Sequence, residues 1–278
     1  MRKGRVVLYY IQYKLLDCIE GSVYNPRGIL TRNERERMLT AYHPTMKTSI
    51  SRPVTQKAKF RWLCAALCCA AMIMPMGGAA MDVSLPQPRK AGGMSLEEAL
   101  RMRRSVRDYA DRAITLTELA QICWAGQGAV RRGNRTAPSA GALYPIEVLV
   151  AAGRVDGLAP GVYRYISANH SLRLVRQGDI RQQLASAALG QECVRDAPIV
   201  IVIAAVYERL AGKYGGRSER YAVLEAGHVS QNIYLQATSL GLGTVAVGAF
   251  NDTAVARAAG LGGDERPLYL MPVGRPMK

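Results

Sequence analysis

The run Pro198–Val206, PIVIVIAAV, constrains this chain more than any other stretch. It carries no charge and no polar side chain, so it fits only a central strand covered on both faces. A fold built around it needs a sheet with layers on either side. Residues 222–240 supply one such layer. Ala222, Ala226, Val229, Ile233, Ala237 and Leu240 recur three or four positions apart, a single apolar stripe along a helix. Gly241 is placed to end that helix in a left-handed cap.

Other elements follow from local signals. Ser95 with Glu98, and Thr115 with Glu118, are capping boxes. The first starts a short helix to about Arg104, the second a helix carrying Leu119, Ile122 and Cys123. Ile146–Ala152 reads as a buried strand, and Val162–Tyr165 with Leu172–Val175 as a hairpin. Asp179 caps a helix to about Leu189, while Val245–Phe250 and Tyr269–Val273 read as further strands. Strands and helices mix without regular βαβ alternation, which predicts an α+β fold. No G-x-G-x-x-G follows a strand, so a dinucleotide fingerprint is absent.

The N-terminal part reads differently. Trp62–Met76 is charge-free and apolar, preceded by Lys57, Lys59 and Arg61 and followed by the small residues Gly78 and Ala80. That order marks residues 46–80 as an export signal or membrane anchor, cut before Met81. The run is short beside the ~20 apolar residues of a spanning helix. Met46 opens a normal signal, so residues 1–45 are expected to be a gene-model extension, and 81–94 a linker to a domain at 95–278. The expected location is outside the cytoplasm, periplasmic or anchored; a non-functional signal would leave it cytoplasmic. Residues 1–61 hold 13 Lys+Arg against 4 Asp+Glu, a net +9 that leaves +7 of the total +16 for the rest. With most of the excess in the leader, nucleic-acid binding is disfavoured. Only Cys123 and Cys193 of the six cysteines lie in the domain, without metal-ligand spacing, so no metal is expected. Cys123 reads as core packing.

Three short segments carry chemistry. Arg103, Arg104, Ser105 and Arg107 combine guanidinium forks with a hydroxyl, a set that suits phosphate and equally a solvated helix end. Residues 138–145, PSAGALYP, join two rigid prolines to small side chains. Such a loop admits backbone to a planar ring, or is a plain surface turn. Lys213–Tyr214 precedes the long helix in a Gly-rich stretch, either a proton-transfer pair or a surface lysine.

Together, RRSVRDY, PSAGALYP, the KYG…EAGHVSQNIYLQA…LGLGTVAVGAF run and the closing PVGRP resemble the nitroreductase superfamily of FMN enzymes. PSAGALYP and the Lys-Tyr pair are most similar to its SagB/ThcOx-type dehydrogenase branch. The resemblance spans 95 to 276 and implies a nitroreductase-like α+β fold. Its sheet would be central, mixed or antiparallel, and flanked by helices, in a homodimer with FMN at the shared interface. Arg103, Ser105 and Arg107 would hold the FMN phosphate and ribityl chain, with Arg275 adding a phosphate contact. Pro138, Ser139 and Ala140 would reach the ring system from the partner subunit. Gln191 would contact the pyrimidine edge, and Val247 and Gly248 would present backbone near N5. Lys213 and Tyr214 match the pair that azole-forming dehydrogenases of the family are thought to use for proton removal. A lysine desolvated by burial suits that task. The implied substrate is a small molecule or a peptide-derived ring. The alternatives are an NAD(P)H-dependent nitro or quinone reductase, and a flavin- or nucleic-acid-binding protein without turnover.

Overall fold

The computed structural model describes residues 82–277; the expectations for 1–45 and 46–80 fall outside them. The chain begins with β1 (Val83–Ser84), α1 (Leu96–Met102), β2 (Ile114–Thr115), α2 (Leu116–Gln127), β3 (Ile146–Ala152) and β4 (Val155–Asp156). It continues through β5 (Gly161–Ile166), β6 (Ser171–Gln177), α3 (Arg181–Ala187), α4 (Glu192–Asp196) and β7 (Ile199–Val206). It closes with α5 (Glu208–Tyr214), α6 (Ser218–Ser239), β8 (Gly243–Thr244), α7 (Asp252–Ala259) and β9 (Glu265–Gly274). Among the described residues no helix is long and apolar enough to cross a membrane.

Seven strands form one sheet in the order β1-β6-β5-β3-β7-β9-β8, and every neighbouring pair is antiparallel. The separate β2–β4 pair is parallel. The apolar run is indeed central. In β7, Ile201 stands opposite Val150 of β3 and Met271 of β9. The two-residue period of a strand sends its side chains to two cores. Ile199, Ile201, Ile203 and Ala205 pack with Leu119 and Ile122 of α2 and Val229 and Ile233 of α6. Val200 and Val202 pack with Leu184, Val194 and Val255 of α3, α4 and α7. Burying a branched side chain contributes roughly 1.5–3 kcal/mol. Ile201→Ala, at a fully buried position, is therefore expected to destabilise by about 2–5 kcal/mol in urea denaturation.

The caps match the sequence with one difference. Thr115 and Glu118 form the complete reciprocal box, whereas Ser95 accepts from the Glu98 amide without the return bond. At the end of α6 the Gly241 amide donates to Thr238 O at 3.0 Å and the Leu242 amide to Ala237 O at 2.8 Å. With Gly241 at φ 68°, this is a Schellman closure. Three expectations are corrected. Val83 and Ser84, inside the supposed linker, pair with Leu172 and Ser171 as the edge strand. The helix after Asp179 starts at Arg181 and ends at Ala187, with the Asp179 carboxylate accepting from the Arg181 amide at 3.0 Å. Val245–Phe250 is not a strand. It makes a single bridge, Val247 to Leu270, because the Ala246 amide is taken by the Tyr234 hydroxyl at 2.8 Å instead of by a neighbouring strand.

Candidate flavin and proton-transfer site

After α1 the chain runs extended beside the end of the sheet. The Val106 amide donates to Thr244 O at 2.9 Å, the Ala110 amide to Arg275 O at 2.9 Å, and the Met277 amide to Asp108 O at 3.0 Å. Val106 and Tyr109 point inward and are buried, which turns Arg104, Ser105 and Arg107 outward. Burial also pushes the Tyr109 phenol pKa far up, so that tyrosine is structural. Arg103, Arg104 and Arg107 enter no ion pair among the described residues. Arg275 differs: its Nη2 is 2.7 Å from Glu118 Oε1, so part of its charge is already matched. Of the expected phosphate-binding arginines, those of the 103–107 segment therefore keep their charge unmatched among the described residues.

Tyr234 of α6 ties this segment to the 244–248 turn, and sequence reasoning missed it. Its ring lies 5.1 Å from the Arg103 guanidinium, within cation–π range. Its hydroxyl accepts from the Ala246 amide at 2.8 Å and shares a 3.2 Å bond with the Ser105 hydroxyl. Either hydroxyl can donate in that pair, and with Tyr234 as the donor the Ser105 proton is open to an anionic acceptor. The nearby Thr244 hydroxyl, bridged to Ser105 through the backbone, is buried without any hydrogen-bond partner. Gln191 donates its side-chain amide to Ala188 O at 3.1 Å and Ala249 O at 3.2 Å, which places it against the same turn. Both backbone groups of Val247 are committed to Leu270 at 2.9 Å. Of the expected Val247–Gly248 pair, only exposed Gly248 keeps its amide and carbonyl open.

The 138–145 loop gathers a second group. Gly141, Ala142 and Tyr144 all have positive φ, at 61°, 56° and 48°. For the two non-glycine residues this costs on the order of 1–3 kcal/mol each, so the surroundings must hold the loop. The Tyr144 amide donates to Ser139 Oγ at 2.8 Å, and its carbonyl accepts from Arg209 Nη1 at 2.8 Å. Its hydroxyl accepts from the Arg135 amide at 3.2 Å, under an Arg135 guanidinium 4.5 Å above the ring. Arg209 is itself paired with Glu147, and Glu147 with Arg164.

Lys213 and Tyr214, at the end of α5, lie over the apex of this loop. A Cβ placed on Gly141 would sit 2.8 Å from Lys213 Nζ and 2.9 Å from the Tyr214 hydroxyl. Only glycine lets the loop come so close. Tyr214 meets Tyr221 edge-on, with ring centroids 4.9 Å apart. Lys213 is exposed, so the expectation of a base desolvated by its own chain is not met. The structure thus brings Ser105 to Tyr234 of α6, and sets Gln191 against the turn that carries Gly248. It brings the 138–145 loop to Lys213 and Tyr214 separately, at Gly141.

The sheet and its long helix thus present a basic hydroxyl-bearing strip and a lysine–tyrosine pair, the parts on which the comparison with known proteins bears. The nitroreductase family model matches residues 100–275, and the chain belongs to that family of oxidoreductases. It is 47% identical over 199 residues to a nitroreductase-named protein of Methanocaldococcus jannaschii, covering 71% of this chain and 98% of that one. It is 30% identical over 146 residues to the microcin B17-processing protein McbC of Escherichia coli, covering 51% of this chain and 52% of McbC. A solved structure from Ralstonia eutropha JMP134, also nitroreductase-named, superposes with TM-score 0.63 at 32% identity. It covers 72% of this chain and 92% of its own.

Proposed function

We propose that this protein is an FMN-dependent dehydrogenase or oxidase of the SagB/ThcOx type, acting on a small-molecule or peptide-derived substrate. The observation that carries the reading is the meeting of Lys213 Nζ and the Tyr214 hydroxyl over Gly141 of the PSAGALYP loop. The similarity to McbC, which processes a microcin, supports it. FMN, when bound, supplies a hydride acceptor at N5. The residues present fit it: Arg103, Ser105 and Arg107 offer unpaired charge and a free hydroxyl proton to the phosphate and ribityl chain. The orphaned Thr244 hydroxyl stands beside them, and Gln191 and Gly248 line the same turn. Lys213 takes the substrate proton as hydride departs, and Tyr214 polarises the bond or holds the lysine.

An active homodimer would cover some of the exposed apolar side chains, Leu96 and Leu100 of α1 or Val223 and Leu224 at the start of α6. The partner subunit and the substrate would then desolvate Lys213. Export through residues 46–80 is part of the same reading, and recovery of the protein in the cytoplasmic fraction would remove that part. One observation favours a second reading, an NAD(P)H-dependent nitro or quinone reductase: the nitroreductase-named relative that matches along nearly its whole length. Absorbance with flavin identification and sedimentation velocity test the first. A yellow dimer with non-covalent FMN is expected; a colourless folded protein that ignores added FMN would overturn it. Rapid steady-state reduction by NAD(P)H would favour the second reading.

A further inference from the structure

Arg209 is a charged side chain that the proposed chemistry leaves unexplained, although it stands one helical turn before Lys213. The two are four residues apart on α5, so they share a face. Both meet the 138–145 loop: Arg209 Nη1 donates to Tyr144 O at 2.8 Å, and Lys213 lies over Gly141. Among the described residues, the Arg209 bond is the only hydrogen bond between α5 and that loop. Little else holds α5 in place. It has seven residues, no side-chain bond at its N-cap Tyr207, and one buried side chain, Leu210. A helix that short is marginal by itself. The loop needs an outside hold as well, because Ala142 and Tyr144 sit at positive φ.

The other arm of the Arg209 fork reaches the sheet. Its Nη2 is 2.5 Å from Glu147 Oε1, and Glu147 Oε2 accepts from Arg164 Nη1 at 3.1 Å. Arg164 in turn donates to both carboxylate oxygens of Glu265, at 2.5 and 2.9 Å. Strands β3, β5 and β9 therefore each lend one residue to the anchor. The Glu147 and Glu265 side chains are only 14% and 8% exposed, which sets this series apart from isolated surface pairs that contribute little. A guanidinium suits the junction, because its planar fork presents N–H groups to two acceptors at once. We propose that Arg209 is a positioning residue: its guanidinium, anchored through Glu147 to the sheet, joins α5 to the Tyr144 carbonyl and so sets Lys213 and Tyr214 over Gly141. This rests on the reading of Lys213–Tyr214 as the proton-transfer pair, and it names what holds that pair against the loop.

Two measurements on the full-length, flavin-loaded protein test this, in wild type, Arg209→Gln and Glu147→Gln. The first is amide hydrogen exchange. The reporters are the turn's own bonds, Ala142 N to Ser139 O, Leu143 N to Ala140 O and Tyr144 N to Ser139 Oγ. In Arg209→Gln those amides and the ones of α5 should exchange about tenfold to a hundredfold faster, as loss of a charge-assisted hydrogen bond implies. Strand β7 should keep wild-type protection. Glu147→Gln retains an acceptor oxygen and should show a smaller change of the same kind. The second measurement is the carbon resonance of Lys213 after reductive methylation with ¹³C-formaldehyde, assigned by its loss in Lys213→Ala. The chain has only eight lysines, so the spectrum is sparse. In Arg209→Gln that resonance should move, as the amine leaves Gly141 and the Tyr214 ring 5.6 Å away. An arginine that only stabilised the fold would lower the urea midpoint and leave the resonance where it was. Wild-type exchange at 142–144 in Arg209→Gln, or an unmoved Lys213 resonance, would overturn the proposal. Should Arg209→Gln fail to fold, Glu147→Gln decides by the same two readings. Neither reading needs a substrate, so failure of the joint is told apart from failure of the proton-transfer reading, which full turnover in Lys213→Ala would show.

Discussion

Lys213→Ala is expected to lower turnover by about 10²–10⁴-fold, the usual contribution of a positioned general acid or base. Flavin binding and stability should hardly change. The lysine is exposed, and its Nζ lies 5.6 Å from the Tyr214 ring centroid, a contact worth roughly 0.5–1 kcal/mol at an exposed site. The Arg103–Arg107 strip, which would hold the phosphate, is tied to Tyr234 rather than to Lys213. Lys213→Arg sharpens the test. A guanidinium keeps the charge but does not give up its proton at working pH, so Lys213→Arg should lose turnover as Lys213→Ala does. Single-turnover flavin reduction by substrate, followed by absorbance, separates binding from proton transfer. If reduction proceeds at the wild-type rate in Lys213→Ala, the base lies elsewhere.

The second large effect concerns Gly243, where β8 passes under the 103–107 segment. A Cβ there would lie 2.6 Å from Val106 Cβ and 2.7 and 2.8 Å from its two methyl carbons. Val106 cannot turn away, because its β-branched side chain is stiff at χ1 and its amide is bonded to Thr244 O. Gly243→Ala should therefore overpack the site, with a loss of about 1–3 kcal/mol. It should also move Ser105 and its arginines from the Tyr234 end of α6, so flavin affinity falls with stability. Gly212→Ala is the control: a Cβ there meets nothing within 4 Å, and α5 should gain slightly from alanine. Urea denaturation and flavin titration on both variants check this. Equal stability and affinity for Gly243→Ala and wild type would show that the strip does not depend on that contact.

Much of the fold was legible because its signals are local. The β7 run, the α6 stripe, the Thr115–Glu118 box and the Gly241 cap depend on residues a few positions apart, and each formed. The readings that missed lay where a distant group competed. Val245–Phe250 looks like a strand until the Tyr234 hydroxyl takes the Ala246 amide. Val83–Ser84 looks like linker until β6 offers it an edge. The site shows the same division. Arg103, Ser105 and Arg107 stand out by composition, whereas Tyr234 and Arg209 sit at helical positions where a tyrosine or an arginine signals nothing without its neighbours.

By itself, then, the sequence determined the α+β class, the central strand, the long helix and the segments that bear chemistry. Periodicity, caps and motif order are written in the chain. Only the tertiary structure decided which of these segments meet. It placed Lys213 and Tyr214 over Gly141 but left the lysine exposed, gave part of Arg275 to Glu118, and closed the backbone of Val247 against Leu270. Contacts of that kind join residues tens of positions apart, and their geometry is decided by packing across the sheet and α6, which no local pattern specifies.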